Sequence, residues 1–134
     1  MILRYAEMGD YGWIKDHERH IADKTLQNKI ANKEVYVAQE DNTLLGWLRY
    51  NLFWDNVPFM NKIFVVEGRR KRGIGKKLLN HWEEEMKQRG YKNVLTSTQS
   101  NEDAQHFYRK MGYTEIGGIK YLDDPYELIF FKEI

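Results

Sequence analysis

The alternation of apolar and polar residues changes period several times along the chain, and each change marks an element. Ile2 to Ala6 alternates as a half-buried strand does. Asp10 is placed to cap a helix through Tyr11, Trp13, Ile14 and His17, because its carboxylate can accept from free backbone N–H groups. Asp23 is placed to cap a second helix, with Leu26 and Ile30 four apart on one face. The period then shortens. Glu34 to Ala38 reads as a strand, and Asp41-Asn42-Thr43 is turn chemistry. Leu44 to Trp54 reads as a long strand rich in aromatic and branched residues. Pro58 breaks that pattern, and Phe59 to Val66 is a further extended run, so the three predict an antiparallel meander.

From Gly73 to Arg89 the period lengthens again, with Ile74, Leu78, Leu79, Trp82 and Met86 on one helical stripe. Arg89 and Gly90 end it as a cationic last turn and a left-handed cap would. Val94 to Thr98 is a short strand. A strand, a helix and a strand in succession form a crossover, which requires parallel pairing. Asn101 starts a last helix to Met111, stopped by Gly112. Tyr113 to Tyr121 and Tyr126 to Phe131 read as a hairpin around Asp123-Asp124-Pro125. The order β-α-α-β-β-β-α-β-α-β-β predicts an α/β (α+β) fold. Its central sheet is mixed and mostly antiparallel, with about seven strands flanked by about four helices.

Composition narrows the classes. A chain of 134 residues with 42% hydrophobic residues is the size of one domain, here residues 1–134, with a core of its own. Lys plus Arg is 21 and Asp plus Glu is 20, so no global field draws the chain to nucleic acid or to a membrane. The absence of Cys excludes disulfides, thiolate nucleophiles and Cys-ligated metals. The first residues turn polar too early for a signal peptide, and no apolar run approaches the roughly 20 residues that span a bilayer. A cytoplasmic location is expected.

Charge is concentrated in Arg69-Arg70-Lys71-Arg72-Gly73-Ile74-Gly75-Lys76-Lys77. On its own, a basic run before a helix is a solvated face. Here it follows a strand, contains two glycines that let backbone approach a ligand, and opens a helix whose first N–H groups are unpaired. Together these make a cradle for a polyphosphate. A nucleotide P-loop fails, because Ile74 stands where its lysine belongs. A dinucleotide fingerprint fails because Leu78 stands where its third glycine belongs.

What fits is R-x-x-G-x-G, as Arg70-Lys71-Arg72-Gly73-Ile74-Gly75. Downstream, Asn101 to Tyr113 reads N-x-x-A-x-x-F-Y-x-K-x-G-[FY]. With both motifs in this order of elements, the chain resembles the GNAT superfamily of N-acetyltransferases across nearly its whole length. The resemblance implies a fold in which the fourth and fifth strands splay apart, here Ile63–Val66 from Leu95–Thr98. It implies acetyl-CoA as co-substrate and no metal. Pantetheine would pair with the strand edge at Phe64 and Val65. The pyrophosphate would sit on the N–H groups of Arg72, Gly73, Ile74, Gly75 and Lys76, with Arg70 and Lys71 neutralising it. Asn101 would hold the pantetheine region. The N–H of Val65 would serve the oxyanion, and Tyr108, an ordinary phenol near pKa 10, would serve the departing thiolate.

The resemblance thus implies acetyl transfer to the primary amine of a small molecule or peptide, by direct attack on the thioester, in a monomer or homodimer. The alternative is a module that senses acyl-CoA without turnover. The strand position that often carries a glutamate base falls near Phe59, with Met60 and Asn61 beside it, so Asp55, Glu127 or a water relay is left to take the amine's proton. Trp13, His17, Trp47, Trp54 and Tyr121 could wall an acceptor pocket, and Asp123 could join Asp55 or Glu127 in pairing an ammonium. His17-Glu18-Arg19-His20 is one residue short of the zinc pattern H-E-x-x-H. His81 and His106 read as isolated helix residues, and Glu83-Glu84-Glu85 as a solvated helix face.

Overall fold

The computed structural model describes residues 1–70 and 72–134. Its elements are β1 (Ile2–Tyr5), a 3-10 turn (Met8–Asp10), α1 (Tyr11–Asp16), α2 (Asp23–Ala31), β2 (Val35–Glu40), β3 (Thr43–Phe53), β4 (Val57–Val65), α3 (Ile74–Gln88), β5 (Asn93–Gln99), α4 (Ala104–Lys110), β6 (Thr114–Ile119) and β7 (Glu127–Glu133). The strands hydrogen-bond in the order β1-β2-β3-β4-β5-β7-β6, with β4–β5 parallel and the β1–β2, β2–β3, β5–β7 and β6–β7 pairs antiparallel. This is the mixed seven-stranded sheet that the element order predicts. The β4–β5 pairing is confined to Phe59↔Leu95 and Met60↔Thr96, although β4 runs on to Val65 and β5 to Gln99.

The residues group into two compact units, Met1–Tyr50 with Lys62–Trp82, and Asn51–Asn61 with Glu83–Ile134. In the first, Ile14 of α1 and Leu26 and Ile30 of α2 pack on Val35, Val37 and Trp47 of the strands, all essentially without solvent contact. The α3 stripe of Ile74, Leu78, Leu79 and Trp82 is buried as its spacing requires. Trp82 lies 5.8 Å from the Tyr50 ring, and His81 meets the Tyr36 ring edge-on at 5.4 Å. In the second unit, Val94, Thr96, Leu128 and Phe130 form the sheet's buried face, with Tyr108 and Tyr113 in the same core.

Both later helices close on glycine. After α3, Gly90 takes φ +96°, the Gly90 N–H donates to the Lys87 carbonyl at 3.0 Å, and the Tyr91 N–H donates to the Met86 carbonyl at 3.1 Å. After α4, Gly112 takes φ +92°, and the N–H groups of Gly112 and Tyr113 donate to the carbonyls of Arg109 and Tyr108. These paired bonds satisfy carbonyls that the helix end leaves open, and only glycine adopts that left-handed conformation without strain.

Several local expectations change. Asp10 does not cap α1: its carboxylate takes both Arg4 Nη1 at 2.8 Å and Arg4 Nη2 at 3.1 Å, and accepts the Glu7 N–H at 2.8 Å. Engaged in this way, the Asp10 side chain makes no hydrogen bond to the start of α1. Asp23 is the first residue of α2 and pairs with Lys15 at 2.9 Å instead of capping. Asn101 precedes α4 in an exposed turn, so that helix is shorter than its motif suggests. Pro58 lies inside β4, buried, and Trp54 lies outside β3. Trp54 and Asp55 form a tight hairpin turn at φ +55° and +59°, closed by the Asn56 N–H on the Phe53 carbonyl at 3.0 Å. That is a type I′ geometry, normally built from Asn-Gly, and it costs roughly 1–2 kcal/mol for each non-glycine residue held there. Glu83 is not solvated: it is 8% exposed and accepts from the Tyr113 hydroxyl at 2.7 Å and from Lys132 Nζ at 2.8 Å.

Candidate active site

The basic turn leaves β4 and enters α3. Gly68 and Gly73 take φ +85° and +79°. Among the described residues, the first backbone bond of the helix runs from the Lys77 N–H to the Gly73 carbonyl at 2.9 Å. The N–H groups of Ile74, Gly75 and Lys76 precede that donor in the first turn of the helix. Gly75 is half-buried, and Arg70, Arg72, Gly73 and Lys76 are exposed. Arg70 folds back on the strand it follows: its Nε donates to the Val65 carbonyl at 3.0 Å, and its guanidinium lies 5.8 Å from the centre of the Phe64 ring. Lys71, the remaining phosphate candidate, lies outside the described residues. These donors and cations fit a diphosphate.

Gly46 on β3 fixes the backbone at Phe64 and Val65. A Cβ there would stand 2.3 Å from the Phe64 carbonyl oxygen, so any larger residue pushes this segment away. Phe64 stacks on Trp47 at 4.3 Å, and Trp13 and His17 complete the aromatic column. His17 Nδ1 hydrogen-bonds the Trp13 carbonyl at 2.9 Å. The column accounts for three of the residues expected to wall an acceptor pocket, and Trp47 is wholly buried in it. Beside it, Glu18 has no exposed side chain, pairs with Arg49 at 3.1 Å and accepts the His20 N–H at 2.9 Å. The H-E-x-H stretch is thus built around an ion pair. Among the described residues no group of three or more His, Asp or Glu is placed to hold a metal ion.

In the second unit Tyr108 is 4% exposed, packed 5.8 Å from Phe130 and 5.9 Å from Tyr113. Burial pushes its hydroxyl up to about 12, a hydrogen bond with Thr96 opposes the shift, and the carboxylates of Glu102 and Glu127 add to it. Thr96 is held in turn by its own bond to the Met60 carbonyl at 3.0 Å. Sequence reading missed Thr96; its signal was its place between Val94 and Thr98 on the buried parity of β5. Tyr113 is also raised, by burial and then by Glu83. A raised phenol stabilises the fold while both states hold the proton, below about pH 10, and the contribution is lost as pH rises from there through the folded value. Stability should therefore fall by about 1.4 kcal/mol per pH unit for each such tyrosine between about pH 10 and 12. Urea unfolding of the protein and its Tyr108→Phe variant across that range checks the slope, which the variant should lessen.

The same unit holds a cavity of about 630 Å³. Phe59, Leu95 and Phe131 form its floor, Phe53 and Trp54 one end, and Ile119 and Glu127 the other edge. Of the proposed carboxylates, Glu127 lines this cavity, whereas Asp55 is in the exposed Trp54 turn and Asp123 in the exposed connection after β6. Tyr121 is 63% exposed. No helix among the described residues is long and apolar enough to cross a membrane.

Comparison with known proteins places the fold. Residues 3–113 match the model of the Acetyltransferase (GNAT) family. A curated relative, acetyltransferase Atu2258 of Agrobacterium fabrum, is 35% identical over 78 residues, which are 58% of this chain and 49% of that protein. The chain thus spans about half the length of the curated relative it matches. The crystal structure of a GNAT-family acetyltransferase from Bacillus cereus superposes with a TM-score of 0.80 at 25% identity, covering 98% of this chain and 96% of the other. A putative streptothricin acetyltransferase from Bacillus anthracis, solved with acetyl coenzyme A, gives 0.69 at 22% identity over 75% and 61% of the two chains. With a family match that takes in both motifs and most of the strands that carry them, the chain belongs to the acetyltransferase (GNAT) family.

Proposed function

We propose that residues 1–134 form one acetyl-CoA-dependent N-acetyltransferase domain that places an acetyl group on a primary amine. The observation that carries this reading is the start of α3, where a left-handed glycine, the first-turn N–H groups of the helix and flanking arginines meet in one turn. Acetyl-CoA supplies the activated carbonyl as a thioester. The main chain of Ile74, Gly75 and Lys76 takes the pyrophosphate, with Arg70, Arg72 and Lys71 as its counter-charges. The edge of β4 beyond Met60, at Phe64 and Val65, takes the pantetheine amides as an added strand would. Asn101 donates to the same arm. The Val65 N–H stabilises the charge that develops on the carbonyl oxygen.

Tyr108 serves the departing sulfur. Its raised pKa keeps the phenol protonated at any working pH, so the donor is always loaded. Glu127 takes the proton the amine must lose, because it lines the cavity and its charge reaches Tyr108. The Asp55 carboxylate has neither relation. Glu127→Gln should lower kcat/KM by about 100-fold near neutral pH. The loss should shrink as pH approaches about 10, where the amine deprotonates unaided. A pH–rate profile of both proteins checks this, with Asp55→Asn as the control that changes nothing. The function itself is tested by thiol release from acetyl-CoA with a panel of amines. Product with one class of amine supports it, and acyl-CoA binding with no product from any amine would overturn it.

A further inference from the structure

The strand registers lay out the cavity floor as a grid. Phe59, Leu95 and Phe131 stand in one row, since Phe59 pairs with Leu95 and Leu95 with Phe131. Ser97, Ile129 and Gly117 make the next row, and Gln99, Glu127 and Ile119 the one after it. Side chains two apart on a strand share a face, so Glu127, Ile129 and Phe131 project together. Glu127 is the one ionisable side chain among the described residues of the lining. It stands in the Gln99 row, past the last β4–β5 pair, Met60↔Thr96. From Glu127 to Phe131 the floor carries hydrocarbon for four residues, about 13 Å. Phe53 and Trp54 close the far end, with ring centres 4.5 Å apart. Trp54 is held there by a left-handed backbone and is 77% exposed.

We infer that this cavity takes the acceptor, and that the acceptor is a primary amine on an extended, uncharged hydrocarbon or aryl body. The inference rests on the acetyl-transfer reading above. One carboxylate at one end of an apolar floor matches one ammonium at one end of an apolar chain. A polyamine would lay its second cation on Leu95 or Phe131, where no lining side chain could neutralise it. A short amine would leave the floor wet and forgo its burial. The volume is in the usual range for a small-molecule site.

The test measures binding and turnover separately. Calorimetry in the presence of CoA, which cannot transfer, and product formation with acetyl-CoA are followed with ethylamine, butylamine, hexylamine, 4-phenylbutylamine and spermidine. Affinity should rise about threefold per added methylene up to the length of the floor, with 4-phenylbutylamine among the tightest and spermidine the weakest. Trp54→Ala and Phe53→Ala shorten the far end of the floor at exposed side chains, and each should weaken hexylamine and 4-phenylbutylamine about tenfold, with smaller losses for shorter amines. Preference for spermidine, affinity independent of chain length, or equal losses for every amine would overturn the inference. So would a dimer in sedimentation that Ile119→Asp dissociates, since a second copy would then cover this face. Length-dependent binding without product would keep the amine site and sink the transfer reaction instead.

Discussion

Tyr108→Phe should lower kcat by about 100-fold while acetyl-CoA affinity stays within about threefold. The hydroxyl is the only group removed, and Thr96 keeps its bond to the Met60 carbonyl, so the backbone around it stays in place. The phenol sits at about 12. Giving its proton fully to a thiolate whose acid lies near 8.5 would be uphill by about 3.5 units, or about 5 kcal/mol. Tyr108 therefore acts as a hydrogen-bond donor to the sulfur as charge gathers there, and the proton that ends on the thiol comes from the amine. A donor used only as the bond breaks contributes to kcat and not to binding of the ground state. Steady-state kinetics with a calorimetric titration of acetyl-CoA separate the two. Equal losses in affinity and kcat would assign Tyr108 a packing role.

Arg49→Met should destabilise the fold by about 3 kcal/mol, the common cost of leaving one partner of a buried pair without the other. The Glu18 side chain has no solvent contact, and Arg49 is its cationic partner at 3.1 Å. Burial pushes the Glu18 carboxyl up, but the His20 N–H and Arg49 outweigh it and hold it below the usual range. A lowered folded value means stability that is present above the unfolded value, near 4.5, and is lost as pH falls. In the variant the contributions of Arg49 are lost while the His20 N–H remains, so the Glu18 carboxyl rises relative to the parent and the variant's deficit narrows as pH drops towards 5. Urea midpoints at pH 5 and pH 8 for both proteins give the sign. A variant with unchanged midpoints would show that the pair contributes nothing.

The α3 stripe and its Gly90 cap were legible because both are local: a 3.6-residue period and a left-handed residue leave marks in consecutive positions. The crossover and the loop before α3 were legible for the same reason. What the sequence hid was partnership across long separations. Asp10 has the chemistry of a cap, yet Arg4 claims it. Glu83 sits in a run of three glutamates, and only Tyr113 and Lys132, brought alongside by β6 and β7, make it a core residue. Trp54 reads as the end of a strand because its side chain suits one, while its backbone turns left-handed. Composition gives no sign that Trp13, His17 and Trp47 join a column with Phe64 while Trp54 goes to the cavity. Register across the sheet, which no single segment encodes, is what put Glu127 at one end of an apolar floor and so separated it from Asp55.

The central claim is that main-chain hydrogens at the start of α3 hold a diphosphate. Calorimetric titration with acetyl-CoA and with S-acetylpantetheine, which keeps the thioester arm and lacks the nucleotide, tests it most directly. Each lost charge-assisted bond is worth about 1.5–3 kcal/mol, so acetylpantetheine should bind at least about 100-fold more weakly. Equal affinity for the two compounds would contradict the account.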